Sequence, residues 1–291
     1  MKRIWKIAVA VGGSTLWILV SNSWFLAENR LCVFFLNVDQ GDAILVVTPD
    51  HKTVLIDGGP GDYVLSELGA VLPPWVRSID LLVLTHPHAD HLSGLLDVLE
   101  RFSVKEALYY PICYSDSEYE YFRKVVDGGV GVVGHDTLRN GYKVDLGGAV
   151  VSLFVGSYIS GGDGCIDSAD STNDSSIVAV VSYGDVKVLL MGDAEELTER
   201  RLLAGRFRAL FRGATILKAG HHCSRTASSD VFLDYSRPEL AICSCGKDNS
   251  FGHPHEETIE RFEERNIPYL RTDELGTIVV STDGVTWEIS E

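Results

Sequence analysis

The chain has 291 residues, 45% hydrophobic and 23% charged, which is long enough to bury a substantial core and too apolar for general disorder. Its 25 Lys and Arg stand against 41 Asp and Glu, and a net charge of −16 argues against a broad basic surface for nucleic acid. A nuclease is not excluded, because bound divalent cations and a few local Lys and Arg can invert the potential of one cleft.

The six cysteines (Cys32, Cys113, Cys165, Cys223, Cys243 and Cys245) are too few for a disulfide scaffold of this length. Cys243-Ser244-Cys245 has a single intervening residue, so it is not a C-x-x-C motif. Following the apolar stretch Pro238–Ile242, its cysteines read as small buried residues, and no disulfide is assigned.

Met1-Lys2-Arg3-Ile4-Trp5-Lys6 is basic, Ile7–Val20 is apolar without a charge, and the small polar residues Ser21-Asn22-Ser23 follow. That layout predicts a signal peptide or membrane anchor over residues 1–27 and an exported domain over 28–291.

In chain order, Leu31–Leu36, Ala43–Val47 and Thr53–Ile56 read as strands, with a turn at Gly41 and an end at Asp57-Gly58-Gly59. Tyr63–Leu72 reads as a helix stopped by Pro73-Pro74. Ile79–Leu84 is a continuous apolar run, as in a strand buried on both faces, and a helix over Leu92–Phe102 follows it closely. Residues 157–174, rich in Gly, Ser and Asp, predict a long loop. Ile177–Tyr183 and Val186–Met191 form a hairpin around Gly184-Asp185, and Ala194–Leu203 a helix. Thr215–Leu217 and Leu240–Ser244 read as strands, Glu256–Arg265 as a helix, and Thr277–Val280 with Val285–Ile289 as a closing hairpin. Strands precede helices in each half, so the predicted fold is an α/β class αββα sandwich: two mixed β-sheets with outer helices.

The chemistry concentrates in His86-Pro87-His88-Ala89-Asp90-His91, between the buried strand and the helix. In extended backbone His86 and His88 point the same way and reach one cation. The bend into the helix turns Asp90 and His91 toward a second. Imidazole with carboxylate suits Zn²⁺, Mn²⁺ or Fe and does not by itself distinguish them.

This run matches the H-x-H-x-D-H motif, and the chain resembles the metallo-β-lactamase superfamily. Within it, the chain is similar to the hydrolase domain of ComEC-type competence proteins, but without their membrane channel. The supporting stretches are Phe35-Leu36-Asn37-Val38-Asp39-Gln40-Gly41-Asp42-Ala43, Leu55-Ile56-Asp57-Gly58-Gly59, Leu190-Met191-Gly192-Asp193-Ala194-Glu195, Leu217-Lys218-Ala219-Gly220-His221-His222-Cys223-Ser224 and Gly252-His253-Pro254-His255. The resemblance implies two divalent ions, zinc or manganese, with Asp193 as the bridging carboxylate and His221 or His222 completing the second ion's shell. It also implies Asp57 and Asp90 as residues that orient or deprotonate water, and His253 as a donor to a phosphate oxygen or leaving group. Lys218, Ser224, Arg225 and His255 are implied on the substrate side.

Three departures stand out. No histidine lies between His135 and His221, where the superfamily supplies another ligand; Asn173-Asp174-Ser175-Ser176 fills that slot, with Asn173 open to substrate. Asn37 and Asp39 replace an acidic residue and a glycine, and Cys223 replaces the usual glycine. The expected activity is an exported phosphodiesterase or nuclease using a metal-activated hydroxide, with DNA as a candidate substrate. The alternatives are hydrolysis of a small ester, lactone, β-lactam or phosphocholine-type substrate, or a non-catalytic binding protein. A tether through the N-terminus is possible, and no obligate protein partner is readable.

Overall fold

A computed structural model describes residues 29–132, 141–155 and 169–290. The predicted leader over 1–27 and most of the predicted loop over 157–174 lie outside these residues.

The elements run β1 (Leu31–Phe35), β2 (Ile44–Val47), β3 (Thr53–Ile56), α1 (Tyr63–Val71), β4 (Ser78–Leu84), α2 (Ala89–Arg101), β5 (Ser103–Tyr109), α3 (Ser117–Gly129) and β6 (Gly131–Val132). Then come β7 (Tyr142–Leu146), β8 (Ala149–Val155), α4 (Ala169–Asp174), β9 (Ile177–Tyr183), β10 (Val186–Leu190), α5 (Glu196–Ala204), β11 (Ile216–Lys218) and α6 (Asp230–Ser236). The chain closes with β12 (Leu240–Cys243), α7 (Glu256–Glu264), β13 (Tyr269–Arg271), α8 (Thr272–Leu275), β14 (Ile278–Thr282) and β15 (Trp287–Ser290). Part of the predicted loop is therefore helical, as α4.

Two mixed sheets form, ordered β15-β14-β1-β2-β3-β4-β5-β6 and β13-β12-β11-β10-β9-β8-β7. The expected sandwich is what folds. Period-2 alternation in the second sheet sorts its side chains onto opposite faces. Val188, Leu190, Ile216 and Ile242 join the core shared with the first sheet. Their neighbours Leu189, Met191, Leu217 and Cys243 instead pack with Leu202, Phe232 and Phe262 of the outer helices. On the first sheet Leu92, Leu95 and Val98 of α2 and Phe122 and Val126 of α3 are fully buried. Removing any such large side chain would cost about 2–5 kcal/mol.

Each sheet has a parallel segment, β3-β4-β5 in the first and β10-β11-β12-β13 in the second. Parallel strands end on one edge, and loops beyond their carboxyl ends are where such sheets bind ligands. The loop after β3 lies backbone to backbone on the start of α2: Gly58 N–H donates to His91 O at 2.7 Å, and Gly94 N–H to Gly59 O at 2.9 Å. A Cβ on Gly94 would stand 2.0 Å from Gly58 O, so only glycine permits this approach.

Candidate metal centre

Every residue of the predicted cluster lies just past a parallel strand's carboxyl end. Asp57 follows β3, His86 and His88 follow β4, Asp193 follows β10, and His221 and His222 follow β11. His86 and His88, two apart in extended backbone, bring Nε2 and Nδ1 to 3.0 Å. Helix α2 begins at Ala89, which places Asp90 and His91 in its first turn, where His91 N–H donates to His88 O.

Asp193 lies at the centre. Its Oδ1 is 3.2 Å from His91 Nε2 and 3.5 Å from His222 Nε2. Asp90 Oδ2 is 3.3 Å from the same His222 nitrogen. Asp193 Oδ2 faces the other way, 3.7 Å from His86 Nε2 and 3.8 Å from His221 Nε2. Two donor sets result: Asp90, His91, Asp193 and His222 (the His222 pocket), and His86, His88 and Asp193 (the His86 pocket). Asp193, the expected bridging carboxylate, is the residue common to the two sets.

These atoms suit a divalent cation. His91 Nε2, His222 Nε2 and Asp193 Oδ1 are buried without a hydrogen bond of good geometry, a costly state for polar atoms unless a ligand takes them. Their separations are close to the roughly 3.3 Å between donors of a tetrahedral site with bonds near 2 Å. The charges concur. Burial disfavours a charged His91, yet Asp193, Asp57 and Asp90 hold its pKa well above the ordinary range. Burial likewise opposes charge on His222, but Asp193 and Asp42 push it up to about 10. His86 is driven well below its ordinary value by burial and then by His91.

Most of these histidines are held from behind. His91 Nδ1 is 2.8 Å from Asp57 Oδ2, and Thr85 donates to the same carboxylate through both N–H and Oγ–H. Asp57 was expected to act on water. It is buried behind His91, so its role is to fix that ring, an arrangement that sets the tautomer and strengthens the donor. His222 Nδ1 donates to Ser244 O at 2.9 Å and lies 3.4 Å from Asp42 Oδ1. His86 Nδ1 is 3.1 Å from Thr85 Oγ1 and 3.4 Å from Ser176 Oγ.

Lys218, expected to hold an anionic substrate, does not reach the cleft. Its ammonium is fully buried, ion-paired with Asp42 and donating to Gly192 O. At the end of β11, between β10 and β12, its side chain is spent on Asp42 and Gly192 and not on substrate. Losing either partner would leave an uncompensated buried charge, costing about 3–5 kcal/mol.

A left-handed turn over Gly220–Cys223 carries the double histidine. His221 (φ 47°), His222 (φ 55°) and Cys223 (φ 63°) are three successive left-handed residues, each costing ~1–3 kcal/mol outside glycine. A disulfide joins Cys223 to Cys243 at the end of β12, next to the Ser244 carbonyl that holds His222. This overturns the expectation of no disulfide; 20 residues separate the two cysteines, and spacing gives no hint of their approach. His222 is buried among the donors of its pocket, whereas the His221 side chain is 25% exposed, with Nδ1 3.0 Å from Glu195 Oε1.

The remaining candidates divide. His253 packs beside His221 and His222, at centroid distances of 5.3 and 5.9 Å. Burial and then the neighbouring His222 and His221 push it down to about 3, so the ring is neutral. Its Nδ1 faces Gln40 Nε2 at 3.3 Å; accepting there leaves Nε2–H as a donor. His255 instead accepts from Arg225 N–H, which commits its Nδ1 to the loop. Ser224, another expected substrate contact, is buried against Thr226 at 3.0 Å, so its hydroxyl is spent locally. Asn173 is buried beside the site and its Oδ1 has no hydrogen bond. Thr85, Ser176, Glu195 and Asp42 had no sequence-derived role, although Asp42 and Glu195 lie inside the quoted stretches.

An αββα sandwich with two cation pockets sharing one aspartate is the frame of a metal-dependent hydrolase. Residues 36–247 match the metallo-beta-lactamase superfamily, and the chain belongs to it. It is 29% identical over 266 residues to ComE operon protein 3 of Bacillus subtilis, covering 84% of this chain and 32% of that protein. It is 26% identical over 252 residues to competence protein ComA of Neisseria gonorrhoeae, covering 86% and 32%. The chain therefore spans about a third of the length of these relatives. Among solved structures it resembles YhfI of Bacillus subtilis, with a TM-score of 0.58 at 11% identity, covering 88% of this chain and 100% of that one. Zinc-bound PqqB of Methylobacterium extorquens aligns with a TM-score of 0.51 at 14% identity, covering 80% and 85%. These likenesses carry the fold alone.

Proposed function

We propose that this protein is an exported phosphodiesterase that hydrolyses DNA or a related phosphodiester with two divalent ions, zinc or manganese. The observation that carries the reading is Asp193, whose two oxygens serve two separate donor sets. Ions held there supply Lewis acidity, enough to make a water acidic near pH ~7 and to offset charge on a phosphoryl oxygen.

The chain's own residues account for the remaining requirements. Asp90 is the one carboxylate of its donor set open to solvent, with a side chain 30% exposed against 2% for Asp193. Although burial raises its pKa, His91 and His222 hold the carboxyl below the ordinary range, so it is ionised at neutral pH and able to orient a water. His253, neutral with Nε2–H available, donates to a phosphate oxygen or to the leaving group. Phosphodiester chemistry is supported by the likeness to competence proteins, and export by the basic and apolar N-terminus.

Hydrolysis of a smaller ester is a second reading, favoured by the net charge of −16, which opposes a long polyanion away from the pocket. Non-catalytic binding, suggested by the residues at 37, 39 and 223, has less support because the donors converge. The test measures metal content together with hydrolysis of bis-p-nitrophenyl phosphate and single-stranded DNA, for the protein and for Asp90→Ala and His88→Ala. About two ions per chain, with turnover lost in both variants, is the expected result. Metal with neither substrate turned over favours the small ester, and absence of metal favours a binding role.

A further inference from the structure

The two donor sets are unequal. The His222 pocket has four residues and the His86 pocket three, although both draw on Asp193. A divalent ion with only three protein donors is held less firmly than its neighbour unless another group closes its shell.

A common arrangement marks the two imidazoles that share Asp193 Oδ1. Each is anchored at Nδ1 by an acceptor and presents Nε2 to Asp193: His91 is anchored by the Asp57 carboxylate, His222 by the Ser244 carbonyl. Anchoring Nδ1–H in this way leaves the Nε2 lone pair free for a cation. His221 has the same arrangement. Its Nδ1 is 3.0 Å from Glu195 Oε1, and its Nε2 is 3.8 Å from Asp193.

The oxygens of Asp193 say which pocket His221 serves. Oδ1 faces His91 and His222, and Oδ2 faces His86 and His221 at nearly equal distances, 3.7 and 3.8 Å. His221 therefore lies on the side of the three-donor pocket. Its backbone is held in the left-handed region, with N–H donating to Gly192 O at 3.0 Å, so the ring's direction is fixed by the turn. Glu195 is fixed in turn by Thr226 Oγ1 at 2.9 Å.

We propose that His221 is the fourth protein donor of the His86 pocket and that Glu195 is its positioning residue. This rests on the reading of the site as a dinuclear metal centre and is independent of the substrate. His221 and His222, adjacent in sequence, thereby serve different ions.

The experiment strips the full-length protein of metal, titrates it with Zn²⁺ alone, and measures bound metal and both dissociation constants, with circular dichroism confirming the fold. The protein is expected to bind about two ions per chain and His221→Ala about one, the retained ion keeping its affinity. Glu195→Gln preserves shape and is expected to hold both ions, with one weakened roughly 10–100-fold. A folded His221→Ala that binds both ions as tightly as the unaltered protein overturns the proposal and leaves His221 facing substrate. Loss of both ions from that variant, or an unaltered protein that binds fewer than two, overturns it as well. Two ions without phosphodiester turnover would instead sink the substrate reading and leave this assignment standing.

Discussion

The His222 pocket and the His86 pocket share a carboxylate but are opposite electrostatic environments. Around His222 and His91 stand Asp42, Asp57, Asp90 and Asp193, and both rings are raised above the ordinary histidine range against the effect of burial. Around His86 and His88 burial dominates and His91 adds to it, so both rings are lowered. The first environment offers a cation more negative charge, yet without metal it holds protons that an ion must displace. The second has no proton to displace and little charge to offer. Tight binding and easy loading are thus divided between two sites a few ångströms apart.

The largest expected effect comes from removing what the pockets share. Asp193→Ala takes a donor from both, so both ions should be lost and turnover should fall beyond the roughly 100-fold that an outer hydrogen-bond partner is worth. Asp57→Asn should act on one side only: His91 loses its anionic anchor, and only the His222 pocket should weaken, by roughly 10–100-fold in Zn²⁺ titrations. Equal weakening of both ions in Asp57→Asn would mean that the two pockets do not respond separately.

Proton release sharpens the comparison. With His222 near 10 and His91 raised, both rings are protonated at neutral pH when no metal is bound, and a cation binding Nε2 must expel those protons. Affinity of the His222 pocket should therefore rise with pH, about tenfold per unit for each proton released, and fall as the solution is acidified. The His86 pocket, with depressed rings, should show no such slope near neutrality. Calorimetry in buffers of different ionisation enthalpy would count the protons, and one common slope for both ions would contradict the electrostatic division.

Much of this division was legible in the residues. The His86–His91 run declares both pockets because six consecutive positions hold four donors, and the apolar run before it fixes where a buried strand ends. Asp193 was legible through its resemblance, since an Asp after a strand is otherwise an ordinary turn residue. Lys218 shows a limit: a lysine closing Thr215-Ile216-Leu217 suggests an anion contact, whereas its setting in a central strand favours burial with a partner. The anchors were harder. Asp57, Glu195 and the Ser244 carbonyl act on rings 34, 26 and 22 positions away in sequence, respectively, and only the loop packing brings them together. Strands β5 and β8 and helix α3 escaped the reading.

The smallest expected effect concerns the clamp on the double histidine. Cys223 adopts φ 63°, a conformation natural to glycine, at a position where the superfamily usually has one. The disulfide to Cys243 ties this turn to the strand end whose next carbonyl holds His222 Nδ1. Without the link, a Ser at 223 carries the left-handed strain unaided, about 1 kcal/mol, or roughly fivefold in the population of the binding-competent turn. Cys223→Ser with Cys243→Ala should therefore weaken Zn²⁺ at the His222 pocket by about that factor. Cys223→Gly with Cys243→Ala should recover most of the affinity, because glycine accepts the conformation without the tether. If the serine pair binds as tightly as the unaltered protein, hydrogen bonding at Gly192 and Ser244 holds the turn and the disulfide contributes nothing to the metal site.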